Sequence, residues 1–205
     1  MKRTTGIVVV LLLATALLPA CHGTPSGYTG FMAPAEGQWA EYVLSNNGEE
    51  YHQRMECIGQ DTVDGKTCTG FEITMSEQEE MIMQIWSDTA TGEVVKYVVK
   101  MGDQVMCMNV GQSPEPPETE TPSEYDPNLP DISYGTYTTP TVKTVNVAKF
   151  TTQSEVWVSS QVPFGMVKVI DDNGETTMYL YDFGLTGAHR DISKTEMENC
   201  IPMGG

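Results

Sequence analysis

Apolar and polar residues alternate with a period of two along most of this chain, which is the spacing of half-buried β-strands. Ala40, Tyr42 and Leu44 share one face of a strand over 38–44, and Tyr51, Met55 and Cys57 share a face of 51–58. Phe71, Ile73 and Met75 alternate, as do Met81, Met83 and Ile85, and then Val95, Tyr97, Val99 and Met101. Further strands are expected at 105–110, 141–150, 155–160, 166–170 and 177–183. Turn residues separate them: Asn46-Asn47-Gly48, Thr91-Gly92, Gly102-Asp103 and Asp171-Asp172-Asn173-Gly174. Helical periodicity is scarce, with a partly helical reading open only over 76–86. The pattern predicts a mainly β domain over 36–205, built as one large, curved antiparallel sheet, because a sheet of nine or ten strands tends to curl or close.

One stretch interrupts the alternation. Residues 111–140 hold seven of the twelve prolines and several acidic side chains. They read as a long acidic, Pro-rich surface loop, mobile or serving as a lid over a cavity.

The amino-terminal segment follows a different rule. Lys2 and Arg3 precede an apolar run from Ile7 to Leu18, too short for a bilayer-spanning helix of about 20 residues. Leu18-Pro19-Ala20-Cys21 ends it. This stretch resembles the lipobox of bacterial lipoprotein signal peptides. The resemblance implies that residues 1–20 are removed and that Cys21 carries the lipid, palmitate among its acyl chains. An ordinary secretory peptide cut at the same place, with Cys21 incidental, is the alternative. Residues 21–35 are rich in Gly, Ser, Thr and Pro and read as a flexible tether. His22 after the cysteine, by the sorting rule of enterobacterial lipoproteins, implies an outer-membrane destination in the cell envelope.

Composition narrows the partners. A formal charge of −17 repels phosphate backbones and anionic headgroups, which disfavours nucleic acid and leaves lipid as the means of membrane attachment. With Cys21 acylated, four cysteines remain, and an even count in an exported chain implies two disulfides with three pairings open. Cys57–Cys68 with Cys107–Cys200 is the preferred set. The first bridge requires residues 59–66 to form a wide loop. A two-residue turn at Asp64-Gly65 would place Cys68 opposite Asp61 and Cys57 opposite Glu72, out of reach.

No catalytic constellation stands out. The histidines are His22, His52 and His189, without a nucleophile elbow near them, and no zinc or phosphate-loop spacing occurs. Met101, Met106, Cys107 and Met108 could suggest Cu(I), but regular extension places Cys107 on the face opposite its neighbours. Neither a metal nor another cofactor is expected, and the chain reads as non-enzymatic.

Residues 155–168, Glu-Val-Trp-Val-Ser-Ser-Gln-Val-Pro-Phe-Gly-Met-Val-Lys, with Tyr181-Asp182-Phe183-Gly184, Gly187-Ala188, Gly37-Gln38-Trp39 and Tyr42, resemble a pattern in exported β-rich proteins of unassigned function. Together with the strand count, the chain resembles the LolA/LolB-like lipoprotein-localisation carriers. That resemblance implies a half-barrel around an apolar cavity able to receive acyl chains. Alternation and aromatic content make Trp39, Tyr42, Trp86, Tyr97, Trp157 and Tyr179 the candidates for lining it with a lipid or other apolar ligand. The other function class is a structural or assembly partner in the envelope that makes its contact through 111–140.

Overall fold

The computed structural model describes residues 34–46, 48–76, 80–109 and 131–203. The leader, Cys21 and the tether up to residue 33 lie outside the described residues, as does most of the expected Pro-rich loop, 110–130. Among the described residues the chain is mainly β, with one helix and a single open sheet of twelve strands. Their bounds are β1 Trp39–Asn46, β2 Glu49–Val63, β3 Lys66–Ser76, β4 Glu80–Asp88, β5 Val94–Met101, β6 Gln104–Asn109, β7 Asp131–Thr138, β8 Thr144–Thr151, β9 Glu155–Val158, β10 Met166–Ile170, β11 Thr176–Gly184 and β12 Ile201–Pro202; one helix, α1, spans Lys194–Glu198.

The order across the sheet is β12-β6-β5-β4-β3-β2-β1-β11-β10-β9-β8-β7. Two antiparallel meanders therefore meet at β1 and β11. Only β12, which lies alongside β6, is parallel. The Tyr137 hydroxyl on β7 donates to the Leu180 carbonyl on β11 at 2.8 Å. Those strands are four positions apart in the ladder, about 19 Å along a flat sheet at ~4.8 Å per strand. The β7 end of the sheet is therefore rolled back on itself.

The roll gives the sheet an inner and an outer face, each with its own core. The inner cluster includes Ala40, Tyr42, Leu44, Met55, Phe71, Ile73, Ile85, Val145, Val147, Val162, Phe164, Val167 and Leu180. The outer cluster is smaller: Val63, Cys68, Ile82, Trp86, Val98, Cys107, Ile192 and Met197. It is roofed by residues 185–203, a strap that contains α1 and is tied down by the Cys107–Cys200 disulfide.

The expected Cys57–Cys68 bridge does not form. Asp64 and Gly65 both take positive φ, 49° and 80°, and make the tight two-residue hairpin turn. Cys68 then faces Asp61, and a bulge between Cys57 and Gly59 moves Cys57 opposite Phe71 rather than Glu72. The two thiols end in different clusters, Cys57 inside and Cys68 outside.

Two expectations about elements are also corrected. Residues 131–138 are not part of a loop but form strand β7, which pairs with β8 along its whole length. As an edge strand with mostly exposed side chains, it lacks the apolar alternation that marks a buried one. Residues 80–86 are strand and not helix, because β4 is paired on both sides, with β3 and β5.

Candidate functional site

The six candidate lining residues do not gather in one place. Tyr42, Tyr97 and Trp157 belong to the inner cluster. Trp86 is fully buried in the outer one, where its indole N–H donates to Gln84 Oε1 at 3.1 Å. Trp39 is held by Arg54, whose guanidinium lies 3.8 Å from the ring centroid, and by a 3.0 Å bond from its Nε1 to the Thr186 carbonyl. Tyr179 pairs with Val43 and Lys168, out of phase with Met178 and Leu180 of the inner cluster.

The inner face is largely apolar, and two of its buried polar side chains occupy directly opposed positions of β1 and β2. Tyr42 pairs with Gln53, and both are buried, at 2% and 3% exposure. The Tyr42 hydroxyl and Gln53 Oε1 have no hydrogen-bond partner among the described residues. Burial pushes the Tyr42 phenol far above its ordinary range, so the hydroxyl keeps its proton and can donate. Leaving such groups unpaired costs about 1–3 kcal/mol each. A donor and an acceptor thus sit side by side in a largely oily surface.

Part of that surface is covered by the turn between β9 and β10. Gly165 N–H donates to the Val162 carbonyl at 3.0 Å, with Pro163 and Phe164 at the turn's centre. Phe164 packs edge-on against Phe71 at 6.1 Å. At the rim, Trp157 meets Tyr137 edge-on at 6.2 Å and carries the Lys149 ammonium 3.6 Å from its centroid. Trp157 Nε1 donates to Glu155. Burial pushes the Tyr137 phenol up to about 12, with Tyr179 adding a smaller push.

The outer face carries a different chemistry. Trp39, Glu56, Glu72 and Gln84 follow one another across β1–β4 in direct register. Glu56, Glu72 and Gln84 are all fully buried beneath the strap. Glu72 is well satisfied: Oε1 accepts from the Asp191 backbone N–H at 2.8 Å, and Oε2 accepts from Ile192 N–H at 3.1 Å and from Gln84 Nε2 at 2.7 Å. Desolvation still raises its pKa.

Glu56 is satisfied on one oxygen only. Its Oε1 accepts from Arg54 Nη2 at 2.9 Å and from the His189 backbone N–H at 3.2 Å, and lies 3.0 Å from His189 Nδ1. The sister oxygen, Oε2, is buried with no partner among the described residues. The other ring nitrogen of His189, Nε2, stands 3.3 Å from Asp191 Oδ2. One donor atom from each of Glu56, His189 and Asp191 lies within 4.8 Å of the others.

Sequence reasoning missed this cluster. Its only local signal is His189-x-Asp191, whose side chains point the same way in extended chain, and Glu56 is far away in sequence. The register sets Met106 and Met108 against Val99 and Tyr97 while Cys107 faces Val98 and joins the disulfide, the alternation expected of a regular strand over these residues.

No family model matches the chain, and no curated protein matches it. The reading of function therefore rests on the residues themselves.

Proposed function

We propose that this chain is a non-enzymatic, membrane-anchored envelope lipoprotein that holds a lipid or other apolar ligand against the inner face of its sheet. The lipobox at 18–21 supports the anchor: lipid on Cys21 would hold the domain at the membrane, and His22 after it supports an outer-membrane destination by the enterobacterial sorting rule. The observation that carries the ligand reading is the Tyr42–Gln53 pair. An apolar wall with one unpaired donor and one unpaired acceptor suits a molecule with a long apolar body and a single uncharged polar group. The likeness to the LolA/LolB carriers points to the same ligand class.

Native mass spectrometry of protein released gently from membranes tests the reading. An adduct of lipid mass on the wild type, lost in Tyr42→Phe and Gln53→Leu, is the expected result. Protein that emerges with no adduct in any preparation overturns it.

A second reading, an assembly partner acting through 111–140, is favoured by strand β7. It lies at the sheet edge with Ile132 and Tyr134 exposed, Tyr134 at 82%. An edge strand of this kind can accept a partner strand. Site-specific crosslinking from Tyr134 to one envelope protein would support it over the carrier.

A further inference from the structure

We propose that Glu56, His189 and Asp191 form a binding site for a divalent transition-metal ion that staples the carboxy-terminal strap to strand β2. Two independent observations meet here. The first is the donor set, with one imidazole and two carboxylates converging within 4.8 Å from β2 and from the strap. The second is Glu56 Oε2, buried and unpartnered in the same cluster while Oε1 is occupied by Arg54 and the strap backbone.

Charge favours a cation at this point. Glu56, Glu72 and Asp191 bring three carboxylates to one stretch of the outer face, two of them fully buried. Arg54 on β2 bonds Glu56 through Oε1, and the strap cations Arg190 and Lys194 are both engaged with Asp61, at 3.2 and 2.6 Å. The buried Oε2 thus has no hydrogen-bond donor among the described residues, and Arg54 offsets only one of the three carboxylates.

The chemistry suits zinc or a similar ion. Imidazole nitrogen and carboxylate oxygen bind Zn2+ at about 2.0–2.2 Å, which sets neighbouring donors about 3.3 Å apart. Two of the three donors need to move inward by rotation, and these are the surface ones, with His189 at 56% and Asp191 at 37% side-chain exposure. Glu56 stays fixed, oriented by Arg54 as carboxylate ligands are by their outer partners. Three protein ligands leave a coordination position for water. Hard, all-oxygen ions such as Mg2+ gain nothing from the imidazole.

The test uses the full-length lipoprotein in detergent, with Zn2+ as probe and Mg2+ as control. Native mass spectrometry and titration are expected to give one zinc per chain, with zinc slowing amide exchange over 187–193. Affinity should fall at least tenfold in His189→Ala and in Asp191→Asn, both surface changes that leave the core untouched. Glu56→Gln should remove binding as well, and if that variant does not fold, the two surface variants decide. Zinc bound equally by wild type and His189→Ala overturns the proposal. So does a strap whose amide exchange over 187–193 shows no response to zinc. Neither result bears on the inner face, so the ligand reading stands or falls separately.

Discussion

Gly70 on β3 is kept bare by Trp86. A Cβ at that position would stand 2.6 Å from the Trp86 ring, whose side chain is fully buried. Gly70→Ala should therefore cost about 1–3 kcal/mol by overpacking, read as a lower urea midpoint with an unchanged slope. Trp86→Phe in the same chain should recover part of the loss. Phe164 raises the opposite case. Its φ of 66° occupies the turn position that normally takes glycine. Phe164→Gly would relieve about 1–2 kcal/mol of backbone strain but forfeit about 3–5 kcal/mol of ring packing against the inner cluster. The expected result is a net loss of roughly 1–4 kcal/mol; a more stable variant would mean that the ring is not seated on Phe71.

The strap is the element whose stability depends most clearly on conditions. Ser193 caps α1 in a reciprocal capping box with Glu196. Glu196 also bonds Lys100 on β5 at 2.8 Å. Lys100 first, and then Ser193, holds the Glu196 carboxyl at about 2, below its unfolded value of 4.5. A depressed carboxylate contributes stability above the unfolded value and loses it as pH falls toward the folded one. Lys100 is raised by the same pair, so its contribution is intact below 10.5 and lost on further alkalinisation. The urea midpoint should therefore drop more steeply between pH 4.5 and 2 in the wild type than in Glu196→Gln, and parallel profiles would contradict the latch. The disulfide beneath it closes a span of 93 residues. Replacing Cys107 and Cys200 by alanine should cost about 2–4 kcal/mol, seen in the same denaturation experiment.

At the scale of the whole molecule the proposed anchor and the charge belong together. A body carrying net negative charge is repelled by an anionic leaflet, so on the proposed reading attachment would come from acyl chains, each buried methylene adding about 0.8 kcal/mol. Cys21→Ala should leave the membrane fraction and lose label from radioactive palmitate; equal retention of the variant would remove the lipoprotein reading.

Local pattern was enough to place most strands, because side-chain alternation and turn residues act over a few positions. Val94–Met101 and Met166–Ile170 were legible almost to the residue. Asp64-Gly65 also held the register of β2 and β3 in plain view, apart from the bulge at Gly59 that shifts Cys57 by one. β7 escaped notice because an edge strand needs no buried face. The split of the aromatic candidates was equally hidden. Alternation assigns a residue to one of two faces, but it cannot say which face is inside until the sheet rolls. The roll is made by contacts such as Tyr137 with Leu180, and the outer core exists because the strap returns across β2–β6. By itself, then, the chain determined most of its strands and its turns, both local properties. Only the tertiary structure decided which polar groups are buried together. Burial and charge convergence depend on packing between segments more than a hundred residues apart, as Glu56 and His189 illustrate at 133 residues.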